Sequence, residues 1–195
     1  MLRVQNDSDK PITIELVAEK RSFDEDGVEH RTPADDDFVL FPPQAVIAPN
    51  ASQAIRVQYI GAPSLAHSET YTVTVKQIPI QLPTDARTGV QVLFNFSTLA
   101  NVVPAGAKSD VRVVSLEPEP AGGYRLRLNN QGTLYANLAA ATVTVGGEQV
   151  SGEVWRKALK TSWLLPSADR VVVLPANSSA QAGAAEARIA LGAGK

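Results

Sequence analysis

Alternation with a period of two runs through most of this sequence, and no other feature limits its fold as tightly. In "PITIELVAEK" the residues Ile12, Ile14, Leu16 and Ala18 make one apolar face, and in "AIRVQYI" Ile55, Val57 and Tyr59 do so around Arg56 and Gln58. "TYTVTVKQI" sets Tyr71, Val73 and Val75 against Thr72, Thr74 and Lys76. Residues spaced this way share one side of a pleated strand, whereas a helix would scatter them around its axis. Turn signals punctuate the strands at "DEDG" (Asp24 to Gly27), "FPPQ" (Phe41 to Gln44) and "APN" (Ala48 to Asn50). Nothing reads as a long helix.

The pattern restarts after "VVPAGAKSD" with "VRVVSLEP", "GYRLRLNNQG", "NLAAATVTV", "WLLP", "DRVVVLP" and "EARIALG". The alanine-rich run from Asn137 to Ala141 is read as strand, because it lies between a turn and the alternating "TVTV". Strand and turn spacing of about 8 to 12 residues predicts an all-β chain of two antiparallel sandwiches, immunoglobulin-like in size but without the cysteine and tryptophan marks of antibody domains. Pro104, Gly106 and the small residues around them interrupt the pattern between the two halves. The predicted organisation is an N-terminal domain over 1–103, a hinge over 104–108 and a C-terminal domain over 109–195.

Charge and composition narrow the partners. Eighteen Lys and Arg against 20 Asp and Glu give a net charge of -2, which offers no electrostatic footprint for nucleic acid or an anionic membrane. No run approaches the roughly 20 apolar residues that span a bilayer, and "MLRVQNDSDK" has no basic-then-apolar secretion signal, so no membrane insertion is expected. The absence of cysteine excludes disulfides and thiolate metal sites and fits either redox compartment.

Catalytic and metal chemistry find no residues to carry them. His30 and His67 stand alone in polar contexts, without a second ligand at metal spacing. "DEDG" and "ADDD" gather carboxylates but do not match a twelve-residue calcium loop, and solvated turns account for them. No G-x-S-x-G occurs, and the terminal "GAGK" has neither a following Ser or Thr nor a helix to open. Trp155 and Trp163 could stack on a sugar ring, although core burial is the commoner use of isolated tryptophans. The chain is read as a non-enzyme with no cofactor and no metal.

One strand departs from simple amphipathicity. In "GVQVLFNFSTLANVVP", Gly89 to Pro104, Val90, Val92, Phe94 and Phe96 share a face, yet Leu93 makes the opposite face partly apolar too. It is expected to form a long hairpin with "TYTVTVKQI". The pattern by itself fits two structures: a central strand covered on both sides, or an edge strand that lends a face to another protein.

The order of segments decides between them by resemblance. "RVQNDSDKPITIELVAEKRS", "FVLFPPQAVIAPNASQAIRVQYIG", "SETYTVTVKQIP" and "GVQVLFNFSTLANVVP" together resemble the N-terminal domain of periplasmic pilus-assembly chaperones of the chaperone/usher pathway. Gln53 to Val57 matches that family's Q-x-[IV]-R-[VI] strand, and Ile78 and Pro79 its Ile-Pro strand end. "YRLRLNNQGTLYANLAAATVTV" and "SWLLPSADRVVVLP" continue the likeness, which covers nearly the whole chain and fits the non-classical branch best. The resemblance implies a periplasmic chaperone whose partners are pilin subunits and an outer-membrane usher. Such a chaperone lends an edge strand to an incomplete pilin sandwich, with Val90, Val92, Phe94 and Phe96 as the donor residues. Burying three such side chains gives about 5 to 8 kcal/mol before the costs of association. The alternative is a divergent immunoglobulin-like structural or adhesin module that releases no subunit.

Two features depart from the family pattern. The chain begins at what resembles the second strand, so the family's first strand, with its arginine, has no counterpart here. The donor-strand cation that pairs with a subunit's terminal carboxylate is replaced by Asn95, for which Arg3 or Lys76 are the substitutes within reach of the sequence. An open edge in the N-terminal domain also favours self-association.

Overall fold

The computed structural model describes residues 1–79, 92–176 and 186–192. It is all-β, with two immunoglobulin-like antiparallel sandwiches. The chain divides into two compact units: residues 1–20, 31–63 and 70–101 in the first, and residues 21–30, 64–69 and 102–195 in the second.

Eight strands build the first sandwich: β1 (Leu2–Gln5), β2 (Ile12–Phe23), β3 (Glu29–Pro33), β4 (Phe38–Phe41), β5 (Gln44–Ile47), β6 (Ser52–Tyr59), β7 (Glu69–Ile78) and β8 (Asn95–Val102). One sheet has the order β1-β6-β4, the other β3-β2-β7-β8 with β5 beside β2. The chain passes from one sheet to the other between β4 and β5, at Pro42 and Pro43, neither of which could donate to a ladder. The alternation sets the register. Leu16 lies opposite Val75 and Ala18 opposite Val73, so the apolar faces of β2 and β7 coincide. Ile14, Leu16, Ile47, Ile55 and Val75 form the buried core, with Leu2, Val4, Leu40 and Val57 packed against it.

β7 is covered on both sides. Thr70, Thr72 and Thr74 are as buried as Tyr71 and Val73. Two of these hydroxyls bond to side chains of β8, Thr70 to Asn101 at 3.0 Å and Thr74 to Ser97 at 2.9 Å. A buried asparagine fixes the β1–β2 turn. Asn6 donates to the carbonyls of Lys10, Ile47 and Ala48 at 2.8, 3.0 and 3.1 Å, and its Oδ1 accepts from the Ser8 amide and hydroxyl. Three strand ends are tied together by one side chain.

The second unit repeats the device. Its elements are β9 (Val111–Pro118), β10 (Tyr124–Asn130), β11 (Ala136–Asn137), β12 (Thr142–Val145), β13 (Glu148–Gln149), α1 (Gly152–Ala158), β14 (Trp163–Leu164), β15 (Asp169–Leu174) and β16 (Ala187–Ala190). They form sheets β15-β10-β9 and β13-β12-β16 and the pair β11-β14 around a core that includes Leu126, Leu128, Leu138, Trp155, Leu164 and Leu174. Buried Asn130 donates to the carbonyls of Leu134 and Leu164, and accepts from the amides of Asp110 and Gly132.

The strand expected over Asn137 to Ala141 is corrected by the structure. Only Asn137 is strand, and Leu138–Ala140 form a 3₁₀ turn in which the Asn137 side chain accepts from the Ala139 amide at 3.0 Å. An asparagine that bonds the backbone two residues on opens a turn where plain alternation would have continued the ladder. The Leu138 carbonyl closes that turn by accepting from the Ala141 amide at 3.1 Å, and it also accepts from the Trp155 indole, 2.6 Å away.

Candidate partner-binding edge

The exposed edge of the first sandwich is built from β8. Its partner in the sheet is β7, to which the Gln77 amide links it by bonding the Phe94 carbonyl at 3.1 Å. Among the described residues no strand lies on its other side, so a row of backbone donors and acceptors is open. Val92, Phe94 and Phe96 are 61%, 57% and 68% exposed. The rings of Phe94 and Phe96 stack on each other, and Leu93 and Leu99 are exposed beside them. Burial of these side chains within their own sandwich is therefore not what the structure contains. Val90 lies outside the described residues.

Beside β8 a cleft of about 350 Å³ opens between the two sheets, lined by Leu2, Val4, Val73, Val75 and Phe96. Arg3 borders it, with Ser97 and Thr98 on the facing strand. Of the proposed carboxylate-anchoring residues, Arg3 is thus brought to the same cleft as Phe96. Asn95 opens β8 and is exposed, while Lys76 stands on β7 opposite Glu15. Neither Arg3 nor Lys76 has an ion-pair partner among the described residues.

The histidines and carboxylate runs form no metal cluster among the described residues. Trp155 is buried in the core of the second unit, and Trp163 packs against Tyr135 with ring centroids 4.8 Å apart.

One arrangement in the second unit was not legible in the sequence. "DEDG" is more than a solvated turn. Glu25 accepts from the Val171 amide at 2.7 Å through its carbonyl, and its carboxylate pairs with Arg127 at 2.8 Å. Arg170, only 2% exposed, lies beneath Gly27 and over Phe23. Its Nη2 donates to the Trp163 carbonyl, while Nε and Nη1 have no partner among the described residues. Burial pushes its pKa down, and the charges of Asp24 and Asp26 oppose that shift. Arg21 also stacks on Phe23 and is held by Glu29 through two bonds of 2.9 and 3.1 Å. The sequence signal was Arg170, which shares its face of β15 with buried Val172 and Leu174, where alternation calls for an apolar residue; Arg21 falls in the alternation on the face of Glu15 and Glu19 and gave no such signal.

Residues 1–108 match the family model described as pili and flagellar-assembly chaperone, PapD N-terminal domain. Among solved structures the chain is similar to the class 5 fimbriae chaperone CfaA, with a TM-score of 0.61 and 14% identity over 97% of this chain and 90% of that one. It is similar to a chain of the CsuC–CsuE chaperone–tip adhesion subunit pre-assembly complex of Acinetobacter baumannii, with a TM-score of 0.59 and 16% identity over 95% and 82%. It also resembles a chain of the Salmonella enterica SafA pilin in complex with the SafB chaperone, with a TM-score of 0.57 and 18% identity over 97% and 86%. At such identities the structural likeness speaks for the fold. No curated protein sequence matches the chain.

Proposed function

The chain belongs to the pili and flagellar-assembly chaperone family, and from that premise we propose that it binds pilin subunits by lending them the free edge of β8. It is a chaperone of the chaperone/usher type, an assembly protein and not an enzyme. A pilin sandwich that lacks a strand offers an apolar groove flanked by two unpaired edges. A donor strand satisfies the edges with its backbone and fills the groove with alternate side chains. The observation that carries this reading is the exposure of Phe96 on β8, whose outer backbone edge is open, and of Phe94 in the extension that leads into it, where the strand expected from the sequence is not yet formed.

Val92, Phe94 and Phe96 supply the apolar contact; Val90, the fourth of the donor residues expected from the sequence, lies outside the described residues. Asn95 occupies the carboxylate-anchoring position, and Arg3, at the adjacent cleft and without an ion-pair partner among the described residues, is the better placed of the two substitutes. Delivery to an outer-membrane usher and a periplasmic location belong to the same reading, as does self-association of the free chain. A hinge near 104–108 between the two sandwiches completes it. The chaperone–pilin and chaperone–adhesin complexes among the similar structures support a subunit as the partner.

The test is co-expression with a candidate pilin and pull-down of the wild type beside a Val92→Asp, Phe94→Asp double variant. The double variant is expected to fold, since both side chains are exposed, and to lose the pilin. Equal capture by both proteins would overturn the proposal.

A further inference from the structure

β15 is an outer strand of its sheet, and among the described residues only β10 pairs with it. Its other side is partly covered by the turn at Asp24 to Gly27, where the Glu25 carbonyl accepts from the Val171 amide at 2.7 Å. Amides of an antiparallel strand alternate in direction, so the Val173 amide points to the same outer side, two residues beyond the covering turn. A cavity of about 190 Å³ opens there. Asp26 of the turn, Arg125 of β10, Leu159 and Lys160 of the segment after α1, and Arg170 and Val173 of β15 line it.

Three cations line this cavity with a single carboxylate, that of Asp26. The neighbouring acids are engaged: Glu119 holds Arg125 at 2.6 Å, Glu25 and Asp169 share Arg127, and Asp24 accepts from the Val28 amide. Lys160 has no ion-pair partner among the described residues. Arg170 is 2% exposed, and apart from the bond of Nη2 to the Trp163 carbonyl at 3.0 Å its guanidinium has no partner among the described residues. A Cβ at residue 27 would meet both Nη1 and the Thr161 methyl, so the guanidinium lies between the segments that carry Asp26 and Lys160, at the buried end of the cavity. Asp24 and Asp26 act on it through charge alone. A buried cation so weakly compensated favours any anion brought near it, because its field is poorly screened.

We propose that this cavity binds a small tetrahedral oxyanion of the phosphate class. Lys160, Arg125 and the Val173 amide donate to it directly, and Arg170 adds its charge from the buried end. Forked guanidinium, ammonium and amide donors suit an ion with several oxygens better than a halide. The cavity is smaller than the pockets of about 300 to 1,000 Å³ that take drug-sized organic ligands, which favours a free ion. Bound there, the ion ties the turn at 24–27, the edge of β15 and the segment after α1 together. All of these residues belong to the second unit, and the proposal does not rest on the reading of β8.

Inorganic phosphate, added to the full chain at neutral pH, is the probe, with sodium chloride at equal ionic strength as the control. At about ten times its dissociation constant phosphate is expected to raise the melting temperature of the second unit by about 2 to 4 °C over chloride. The amide resonances of Gly27, Lys160 and Val173 are expected to shift together along one saturating curve. Lys160 is exposed, so Lys160→Ala should melt as wild type in chloride while binding phosphate about tenfold more weakly, and Lys160→Arg should restore binding. Equal stabilisation by chloride overturns the proposal. So does undiminished binding by Lys160→Ala, or a phosphate titration whose shifts spread over the exposed cations of the whole chain without saturating at these three amides. Vesicles of phosphatidylcholine with phosphatidylglycerol are expected not to sediment the protein. Sedimentation with vesicles, without a response to inorganic phosphate, would make the ligand a lipid headgroup and overturn the free ion.

Discussion

The rings of Phe94 and Phe96 lie 6.2 Å apart between centroids, inclined by 20°, at the entry to β8, where both are more than half exposed. Rings this exposed contribute little to the packing of their own sandwich. Phe94→Ala and Phe96→Ala are each expected to leave the melting temperature within about 2 °C of wild type, while weakening pilin binding roughly 10- to 100-fold. That range follows from about 1.5 to 3 kcal/mol for burying each ring in the partner. Calorimetric titration with a pilin subunit checks it.

Gly27 makes the opposite kind of prediction. Its φ is +83°, and a Cβ there would collide with the Arg170 guanidinium. Gly27→Ala therefore meets backbone strain and displaces a buried cation, and is expected to destabilise the second unit by about 1 to 3 kcal/mol. Urea denaturation followed by tryptophan fluorescence reads the loss, because the Trp163 carbonyl accepts from the Arg170 guanidinium.

Replacing Asn6 by Ala strips three carbonyls of their donor in the first unit, and replacing Asn130 strips two in the second. Each substitution is expected to cost about 1 to 3 kcal/mol. Asp in place of either asparagine removes the donors while keeping the shape, and should rescue nothing. Thermal unfolding of the four variants tests both statements.

Much of the architecture could be read from β2, β6 and β7, where Ile14, Leu16, Ile55, Val73 and Val75 alternate and are buried. The hairpin of β7 with β8 follows from the same arithmetic. The 3₁₀ turn at Leu138–Ala140 could not be read this way, because a local side-chain bond from Asn137 overrode the period. Nor could the inward arginines. Arg170 sits where alternation asks for Val or Leu, and Arg21 is buried on the face that alternation makes polar; their tolerance depends on Phe23, Glu29 and Gly27, which only the fold brings close. The donor face was visible as a doubly apolar strand, but its exposure was not. Whether such a strand is central or at an edge depends on which neighbours it acquires.

The Asp24 carboxyl is held below the usual carboxylate range, first by the Val28 amide at 2.8 Å and further by His30. A carboxylate whose folded pKa is depressed stabilises the fold above its unfolded pKa, and that contribution is lost as pH falls through the folded value. Asp24→Asn is therefore expected to be less stable than wild type at neutral pH and to approach it in acid. The gap should close at a pH below about 4. Denaturation midpoints of the two proteins from pH 7 to pH 2 measure it, and parallel curves would contradict it.

The central claim is that β8 becomes an inner strand when a subunit binds. Hydrogen exchange of the amides from Phe94 to Val102, measured with and without a pilin at concentrations where the free chain is monomeric, tests it most directly. The account predicts strong protection of the outward-facing amides of β8 in the complex. A stable complex in which those amides exchange as fast as in the free protein would contradict it.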